Sequence, residues 1–471
     1  MEAHAPLQAR PKRRVDTHAA CRLMNLRELL APGHFVSHVG SAVVAQGLLS
    51  AANFFIGLLL LRSAGVQPYA HYVLAMNTVA LLVSLQTAFL VPPLSTRLPS
   101  LPAARRATLI GGLLEVQQRL LRFGGTAAIF IGLLYSAYLA VATSGGFEPE
   151  TTHPFAVPSV FWGSLLVALC SLRREFLRQT LLALRRAHDI LRADFCYALA
   201  IVIGAVAAGQ VVPWLAPATV LLAMALAALG SHELLRRSLH RQTNPPKGRQ
   251  SGLLQEIVPL ALWSTSGAAL FWLYTQGFLY LVAANLGTTA VAALAATRLL
   301  LMPMNLLSSG LGGLLSPAAA SWLGSLGRAG LLRRLSGIAL AMAAFTALWV
   351  GLLYFWREPL FYLLFRKPIP HAGTLLLAWG AVYISMAMRD QVGYLLTALG
   401  RYRELTLLTT LATITSLASC LIGMAWLPDV RGAMAGIVIG EGLTLVGILV
   451  LVIRAVRQPA AISRDGIASP A

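Results

Sequence analysis

Long apolar stretches alternate with short polar segments along nearly all of the 471 residues. Twelve of these stretches have about the 20 apolar residues that a helix needs to cross a bilayer. The predicted spans are 36–61, 69–92, 124–144, 156–173, 190–212, 213–235, 256–283, 288–312, 335–356, 372–398, 404–426 and 432–455. Pro213 and Pro217 mark the turn between the fifth and sixth spans. The pattern therefore predicts an all-α polytopic membrane protein.

The amino-acid composition favours the same class. Hydrophobic residues make up 57% of the chain and charged residues 11%, with a mean hydropathy of +0.71. Soluble domains contain about 25% charged residues, and so few charges would not cover a soluble surface. In a soluble protein the net charge of +20 would indicate a nucleic-acid partner. Here the basic residues lie between apolar runs, so no nucleic-acid partner is predicted.

The distribution of lysine and arginine predicts the orientation in the membrane. Segments on one side of the spans hold 30 of the 37 basic residues and those on the other side hold five, while Arg298 and Arg389 lie within spans. Loops rich in lysine and arginine stay in the cytoplasm, so both termini are predicted to be cytoplasmic. Residues 1–34 are interpreted as an uncleaved tail, because no short apolar run with a cleavage site follows them.

Two distant stretches indicate an internal repeat. Residues 174–189 align with residues 389–404 at an offset of 215. The alignment places Arg174 on Arg389, and the following acidic residue, Glu175, on Asp390. The alternative is two unrelated basic loops of a membrane protein. Because a repeat determines the architecture, this one predicts two parallel halves of six spans, related by an axis along the membrane normal.

The predicted organisation has five parts. They are a basic tail at 1–34, a first six-helix lobe at 35–235, a cytoplasmic linker at 236–254, a second six-helix lobe at 255–457 and a tail at 458–471. The linker contains two consecutive prolines, which is typical of an exposed segment. The four cysteines are far apart and form no CxxC pattern, so neither a disulfide nor a metal site is predicted. No cofactor is predicted either.

Polar residues within spans are the first candidate site residues, since an ionisable group at membrane depth costs about 2.5–3.5 kcal/mol and usually faces a cavity or a partner. Arg298 is predicted to bind a diphosphate or an acidic sugar, because guanidinium binds phosphate through two parallel hydrogen bonds; the alternative is a structural arginine. Arg174 and Arg389 either flank the mouth of a cavity or form salt bridges. Gln276 in the seventh span is a further candidate for substrate binding.

Two acids are candidates for ion coupling. Glu441 lies about ten residues into the twelfth span, and a lone acid in hydrocarbon would suit proton or sodium coupling; the alternative is an ion pair with a neighbouring helix. Asp390 follows Arg389, and adjacent residues on a helix point about 100° apart, so these two need not pair. Asp194, near the start of the fifth span, is predicted to be an interfacial ion-pair partner.

The chain resembles the polysaccharide flippases of the multidrug/oligosaccharidyl-lipid/polysaccharide (MOP) superfamily. The resemblance rests on the basic tail, the six-plus-six arrangement, the Arg-Glu…Ala-Leu-Arg-Arg turn at 174–186 and the stretch at 293–303 in the eighth span. It implies a V of two lobes around a cationic cavity, in the bacterial inner membrane. Such a protein moves a lipid-linked oligosaccharide to the outer leaflet by alternating access. Its other expected partners are membrane lipids and a polysaccharide polymerase or export machinery. Related lipid II flippases carry arginines in their first helix, where this chain has Gln46 and Asn53 as candidates.

Two other functions remain possible from the sequence. A drug or metabolite antiporter of the same fold would usually present acids to cationic substrates, whereas this chain has Arg298 and Arg389 within spans. A membrane polysaccharide polymerase or ligase would usually carry a large outer loop with catalytic residues. The outer loops near 145–156 and 357–371 are short and contain no convincing acid–base set, so the protein is predicted not to be an enzyme.

Overall fold

The computed structural model describes residues 35–98, 101–144, 156–184, 186–241, 253–366 and 369–457, and all of their regular structure is helical. The helices are α1 (Phe35–Ser63), α2 (Val66–Arg97), α3 (Ala103–Ser144), α4 (Ala156–Ala183), α5 (Ala187–Ala208), α6 (Ala216–His240), α7 (Leu253–Leu299), α8 (Met302–Phe355), α9 (Arg357–Phe365), α10 (Ala372–Ala398), α11 (Tyr402–Trp426) and α12 (Val430–Arg457). The all-α prediction is confirmed.

Glycines divide α7 and α8. Gly287 has φ 79° and Gly327 has φ 67°, and glycine adopts positive φ without the steric cost of a side chain. The chain from 253 to 355 therefore crosses three times, as 253–286, 288–326 and 328–355. With the other long helices this gives about twelve crossings in the described part, as predicted. Eleven stretches qualify by length and apolar composition alone, because Ile257–Leu299 is one continuous stretch through Gly287.

The third and fourth predicted spans are much shorter than the helices that contain them. The third, predicted at 124–144, is only the second half of α3. The first half of α3 buries Ile110 and Leu113 against the neighbouring helices of the first set. The fourth, predicted to end at 173, continues to Ala183. It continues because the arginines after that point form ion pairs inside the protein, which offset the cost of burying their charge.

The two sets of six helices pack in the same order. In the first set α4 contacts α2 and α6, and α5 contacts α1 and α6. In the second set α10 contacts α8 and α12, and α11 contacts α7 and α12. The helix that carries Arg174 thus has the same neighbours as the helix that carries Arg389. Of the predicted linker, 236–240 belong to α6 and 253–254 to α7, while 242–252 and both predicted tails lie outside the described residues.

Buried apolar residues form three cores. We define the basic side of the molecule as the side at which α2, α4, α6 and α10 end. A shared core on the opposite side combines both halves, for example Leu60 and Tyr69 with Val282 and Leu376. On the basic side the cores are separate: the first contains residues such as Leu94, Leu177 and Leu239, and the second contains residues such as Leu331, Leu396 and Val452. The halves therefore share a core on the opposite side, whereas on the basic side their two cores are separated by a cleft and the halves meet only along its edge.

One edge of the cleft is formed by α2 and α7. Near the basic side Ile257 of α7 belongs to the same core as Leu90 and Leu94 of α2. Farther along, the Tyr280 hydroxyl donates to the Leu74 carbonyl at 3.0 Å and lies 2.7 Å from the Thr78 hydroxyl. These contacts connect the two halves along the length of α2.

Candidate functional site

Arg174 and Arg389 occupy equivalent places in the two halves. Each lies nine residues before the last residue of its helix, Ala183 in α4 and Ala398 in α10. Both side chains are buried. At this depth a bare guanidinium is costly, so the neighbours of each arginine determine its role.

In the first half, Arg174 belongs to a neutral network. Its guanidinium pairs with the fully buried Asp194 of α5, donates from Nε to Ser231 Oγ at 2.9 Å and lies 4.1 Å from the ring centroid of Tyr197. Arg178 donates to the second oxygen of Asp194 at 3.0 Å. Asp194 is thus an ion-pair partner as predicted, and its side chain is fully buried in the protein. Arg174 lies inside this network.

In the second half, Arg389 belongs to a network of four groups. It pairs with Glu441 of α12 and, at 2.9 Å, with Asp390 beside it. The Tyr274 hydroxyl of α7 donates to Glu441 and accepts from Arg389. Of the two possibilities left open for Glu441, the structure shows the ion pair with a neighbouring helix, because α10 and α12 pack side by side. Arg389 and Asp390 need not pair on a helix, but here they do, because a flexible arginine side chain can turn back to its neighbour.

A row of glycines, which the sequence analysis missed, positions Glu441. Gly432, Gly436 and Gly440 recur every four residues on α12, and a Cβ at Gly440 would lie 2.6 Å from the Cα of Ser416 on α11. Small residues at this spacing allow two membrane helices to pack backbone against backbone. The signal was present in the sequence as a GxxxGxxxG motif, and it fixes the height of Glu441 beside Arg389.

A cavity of about 330 Å³ adjoins the second network. Besides Asp390 and Arg389, its polar lining consists of the hydroxyl-bearing residues Tyr274, Tyr394, Thr397, Thr409 and Thr444. Both contacts from Arg389 reach Oδ1 of Asp390, and no described residue donates to the other carboxylate oxygen. Carboxylate and hydroxyl oxygens are ligands that suit a hard cation.

The two networks differ in net charge because their sequences differ at equivalent positions. At the offset of 215, Arg178 corresponds to Gly393 and Asp194 to Thr409, and both Gly393 and Thr409 line the cavity. The first network therefore has two arginines and two acids, counting the pair between Arg178 and Glu175. The second has one arginine and two acids, which leaves one negative charge in excess.

Arg298 forms a separate cationic site with Gln276. Its Nη1 donates to the Gln276 Oε1 at 2.9 Å, and its guanidinium lies 5.3 Å from the ring centroid of Trp379. Trp379 is itself held by a hydrogen bond from its indole N–H to the Leu294 carbonyl at 3.2 Å. Arg298 is half-buried, and none of the ion pairs in the described residues includes it. The structure thus brings two predicted site residues together and leaves the guanidinium without an acid.

Gln46 and Asn53 are both exposed on α1. They are seven residues apart, so they lie on nearly the same face of the helix. Within the described residues neither is hydrogen-bonded to Arg298, Arg174 or Arg389. Their assignment to substrate binding stays a prediction.

The helix count and the matched packing of the two halves define a polytopic membrane protein built from two similar sets of six helices. Solved structures share this fold. An inward-facing multidrug resistance MATE family transporter of the MOP superfamily matches with a TM-score of 0.65 and 14% identity, over 87% of this chain and 94% of that chain. The lipid II flippase MurJ in an inward closed conformation matches with a TM-score of 0.63 and 11% identity, over 87% of each chain.

A third solved structure, of the MATE multidrug transporter DinF-BH, matches with a TM-score of 0.62 and 14% identity over 90% of this chain and 96% of that chain. No family model matches the sequence, and no curated protein matches it either. The TM-scores of 0.62–0.65 show a common fold, although the identities are only 11–14%. This fold is shared with MATE transporters, one of them described as a member of the MOP superfamily, and with the lipid II flippase MurJ. The match confirms the predicted fold class and, at the level of fold, the resemblance.

Proposed function

We propose that the protein moves a polyprenyl-diphosphate-linked oligosaccharide repeat unit across the bacterial inner membrane, for the biosynthesis of a surface polysaccharide. The diphosphate head group enters the cleft from the basic side, which faces the cytoplasm together with both termini. Rearrangement of the halves then opens the cleft to the other side while the lipid tail stays in the bilayer. The proposal includes no covalent step, and the product would pass to a polysaccharide polymerase or export machinery.

The observation that carries this proposal is the uncompensated charge of Arg298. Arg174 and Arg389 are neutralised by buried acids, whereas Arg298 has an amide and an aromatic ring as its neighbours. A guanidinium in that setting keeps donors for a phosphate, and its planar fork matches two phosphate oxygens. Gln276 holds one of its nitrogens and thereby orients the others.

The main alternative is a small-molecule antiporter, since two of the solved structures described above are multidrug transporters. Cationic drugs would be repelled by Arg298, whose charge no described acid compensates. A lipid-linked diphosphate would be attracted by the same charge. The cationic site therefore favours an anionic head group, as carried by the substrate of a lipid II flippase.

The test is to delete the gene in the source bacterium and analyse undecaprenyl-linked intermediates, with the leaflet assigned by an impermeant glycosidase. Complementation would use the wild type, Arg298→Ala, Arg298→Lys and, as a matched control, Arg62→Ala at an exposed arginine at the end of α1. We expect complete repeat units on the cytoplasmic face in the deletion and in Arg298→Ala. Arg298→Lys should restore part of the export, because lysine keeps the charge but not the fork.

Three outcomes would contradict the proposal. Complete units that reach the outer face but stay unpolymerised would indicate a polymerase. Unchanged lipid-linked sugars would indicate a small-molecule exporter. Normal export by Arg298→Ala would show that Arg298 is structural, provided that the variant is present in the membrane at the level of Arg62→Ala.

We further propose that Asp390 and Glu441 couple transport to a cation. The network around Arg389 has one acid in excess, and the cavity beside Asp390 offers hydroxyl oxygens where the first half has Arg178. A sodium ion or a proton would there supply the positive charge that Arg178 supplies in the first half. Substrate flux in proteoliposomes, measured under an imposed sodium or proton gradient, tests whether transport is coupled to a cation. Asp390→Asn should abolish the response to the gradient, and an undiminished response would refute the assignment.

A further inference from the structure

A second cavity, of about 360 Å³, lies between α9 and the first turn of α10, on the side of the molecule opposite to the basic side. Its lining includes the buried Phe361 together with Tyr362 and Ile369. Two arginines, Arg357 and Arg366, line it as well. The cavity thus combines apolar walls with two cationic groups. We call it the α9 pocket.

The two arginines are held near the pocket by local contacts. Arg357 donates to the Tyr354 carbonyl at 3.0 Å, and its guanidinium lies 4.6 Å from the ring centroid of Tyr354. A Cβ at Gly373 would lie 3.4 Å from Arg357 Cδ, so the glycine leaves room for this side chain beside α10. Arg366 ends α9 in a left-handed conformation with φ 53°. Its backbone N–H donates to the Tyr362 carbonyl at 3.1 Å.

The acid at the pocket compensates this charge only weakly. Glu358 is 3.5 Å from Arg357, and its side chain is 84% exposed. Exposed ion pairs of this kind contribute little. Within the described residues no ion pair includes Arg366. The pocket therefore has a net positive charge.

The residues around α9 indicate that the pocket lies at the level of lipid head groups. Phe361 and Phe365 are buried in the shared core, while Phe355, Trp356 and Tyr362 are exposed. Aromatic side chains concentrate where the bilayer meets water, so the exposed aromatic residues indicate that α9 lies at that boundary. The phosphates that are abundant at this level are those of phospholipids.

The charge distribution along the sequence points to the same place. Only five of the 37 basic residues lie on this side of the spans, and three of them, Arg357, Arg366 and Lys367, fall within eleven residues. Basic residues on this side run against the general bias of the chain. Two of them, Arg357 and Arg366, line one pocket, which favours a local anionic ligand over a general effect on orientation.

We propose that the α9 pocket binds one anionic phospholipid from the leaflet that it faces. The phosphate lies between the guanidinium groups of Arg357 and Arg366, and an acyl chain lies along Phe361 and Tyr362. This site is independent of the transport function proposed above. Because α9 contacts α1 of the first half and α8 of the second, a bound lipid would lie beside a contact between the two halves.

The experiment uses the purified full-length protein in detergent, titrated with palmitoyl-oleoyl phosphatidylglycerol and followed by native mass spectrometry. The variants are R357Q/R366Q, the charge-retaining R357K/R366K, and R62Q at an arginine of the same side that does not line the pocket. Each basic residue near an anionic lipid contributes about a fivefold factor in binding. R357Q/R366Q should therefore bind the most tightly held lipid about thirtyfold more weakly. R357K/R366K and R62Q should bind it nearly as well as the wild type.

Phosphatidylcholine and inorganic phosphate should not displace the bound lipid. Equal affinity in R357Q/R366Q and R62Q would overturn the proposal, as would equally tight binding of phosphatidylcholine. Displacement by inorganic phosphate would show a free-anion site instead of a lipid site. Displacement by undecaprenyl phosphate at lower concentration than phosphatidylglycerol would assign the pocket to the polyprenyl carrier. Size-exclusion profiles of all variants ensure that a loss of binding is not a loss of folding.

Discussion

Replacing Gly436 by alanine tests the backbone packing that holds Glu441 beside Arg389. A Cβ at position 436 would lie 2.6 Å from the Cα of Cys420, and it would also meet the carbonyl of Ser419. Carbon atoms pack best at about 3.5–4.0 Å. The substitution therefore requires α12 to move away from α11 by about 1 Å, and Glu441, five residues farther along the same helix, would move with it.

The magnitude follows from two opposing effects. Overpacking costs about 1–3 kcal/mol, and the upper end applies because the clash is with backbone atoms that no rotamer change can relieve. Alanine regains about 1 kcal/mol relative to glycine in a helix. The net expectation for Gly436→Ala is a loss of about 2 kcal/mol in stability. Gly442→Ala is the matched control, because no atom lies within 4 Å of a Cβ at that position.

The assay is the thermal unfolding midpoint of the purified protein in detergent, followed by tryptophan fluorescence. Gly436→Ala should unfold at a lower temperature than the wild type, and Gly442→Ala at the same or a higher temperature. If the two variants unfold together, α11 and α12 do not pack backbone against backbone, and the explanation for the position of Glu441 fails. If Gly442→Ala is equally destabilised, the loss of glycine rather than the contact is responsible.

Three further variants test other parts of the structure. Asp194→Asn leaves the buried Arg174 and the partly buried Arg178 without their shared acid, so it should cost about 3–5 kcal/mol, measured as a lower unfolding midpoint. Neither amide atom of the fully buried Gln391 has a hydrogen-bond partner among the described residues, and an unsatisfied buried group costs about 1–3 kcal/mol. Gln391→Leu should therefore raise the unfolding midpoint. A lower midpoint would show that the amide is paired. In a cysteine-free background, cysteines introduced at Thr78 and Tyr280 can be cross-linked by a short bifunctional reagent. If the halves separate at this contact during transport, the cross-link should block transport until it is cleaved. Unimpaired transport would contradict such a separation.

The sequence was informative about fold because bilayer crossing requires long apolar helices, a property that is visible residue by residue. The twelve spans and the equivalence of Arg174 and Arg389 could therefore be predicted. The start of α3 and the end of α4 could not be predicted, because both stretches contain charged residues that hydropathy counts against a helix span. In α3 the charge of Arg119 is paired within the helix, with Glu115, and in α4 the arginines pair with Asp194 of α5. Hydropathy describes a segment in isolation, whereas Asp194 and Ser231 reach Arg174 only after α4, α5 and α6 have packed.

The candidate site, too, could be predicted from the sequence only in part. Depth and charge were enough to single out Arg298, Arg389 and Glu441, but not to show which of them is neutralised. That depends on the approach of α12 to α10 and α11, which the glycine motif allows. The distinction between Arg298 and Arg389 is a property of tertiary packing.

The second half contains two uncompensated charges of opposite sign, Arg298 near Trp379 and the excess acid at Asp390. Along α10, Trp379 and Asp390 are eleven residues apart, which corresponds to about 16 Å at 1.5 Å per residue. At that distance and an effective dielectric constant of about 20, two unit charges interact by only about 1 kcal/mol. The two charges therefore do not neutralise each other, and an anionic head group and a cation can each find a partner. Through electrostatic attraction alone, each bound ligand would change the affinity of the other by less than tenfold. Stronger coupling between them has to come from movement of α10, the helix that contacts both sites.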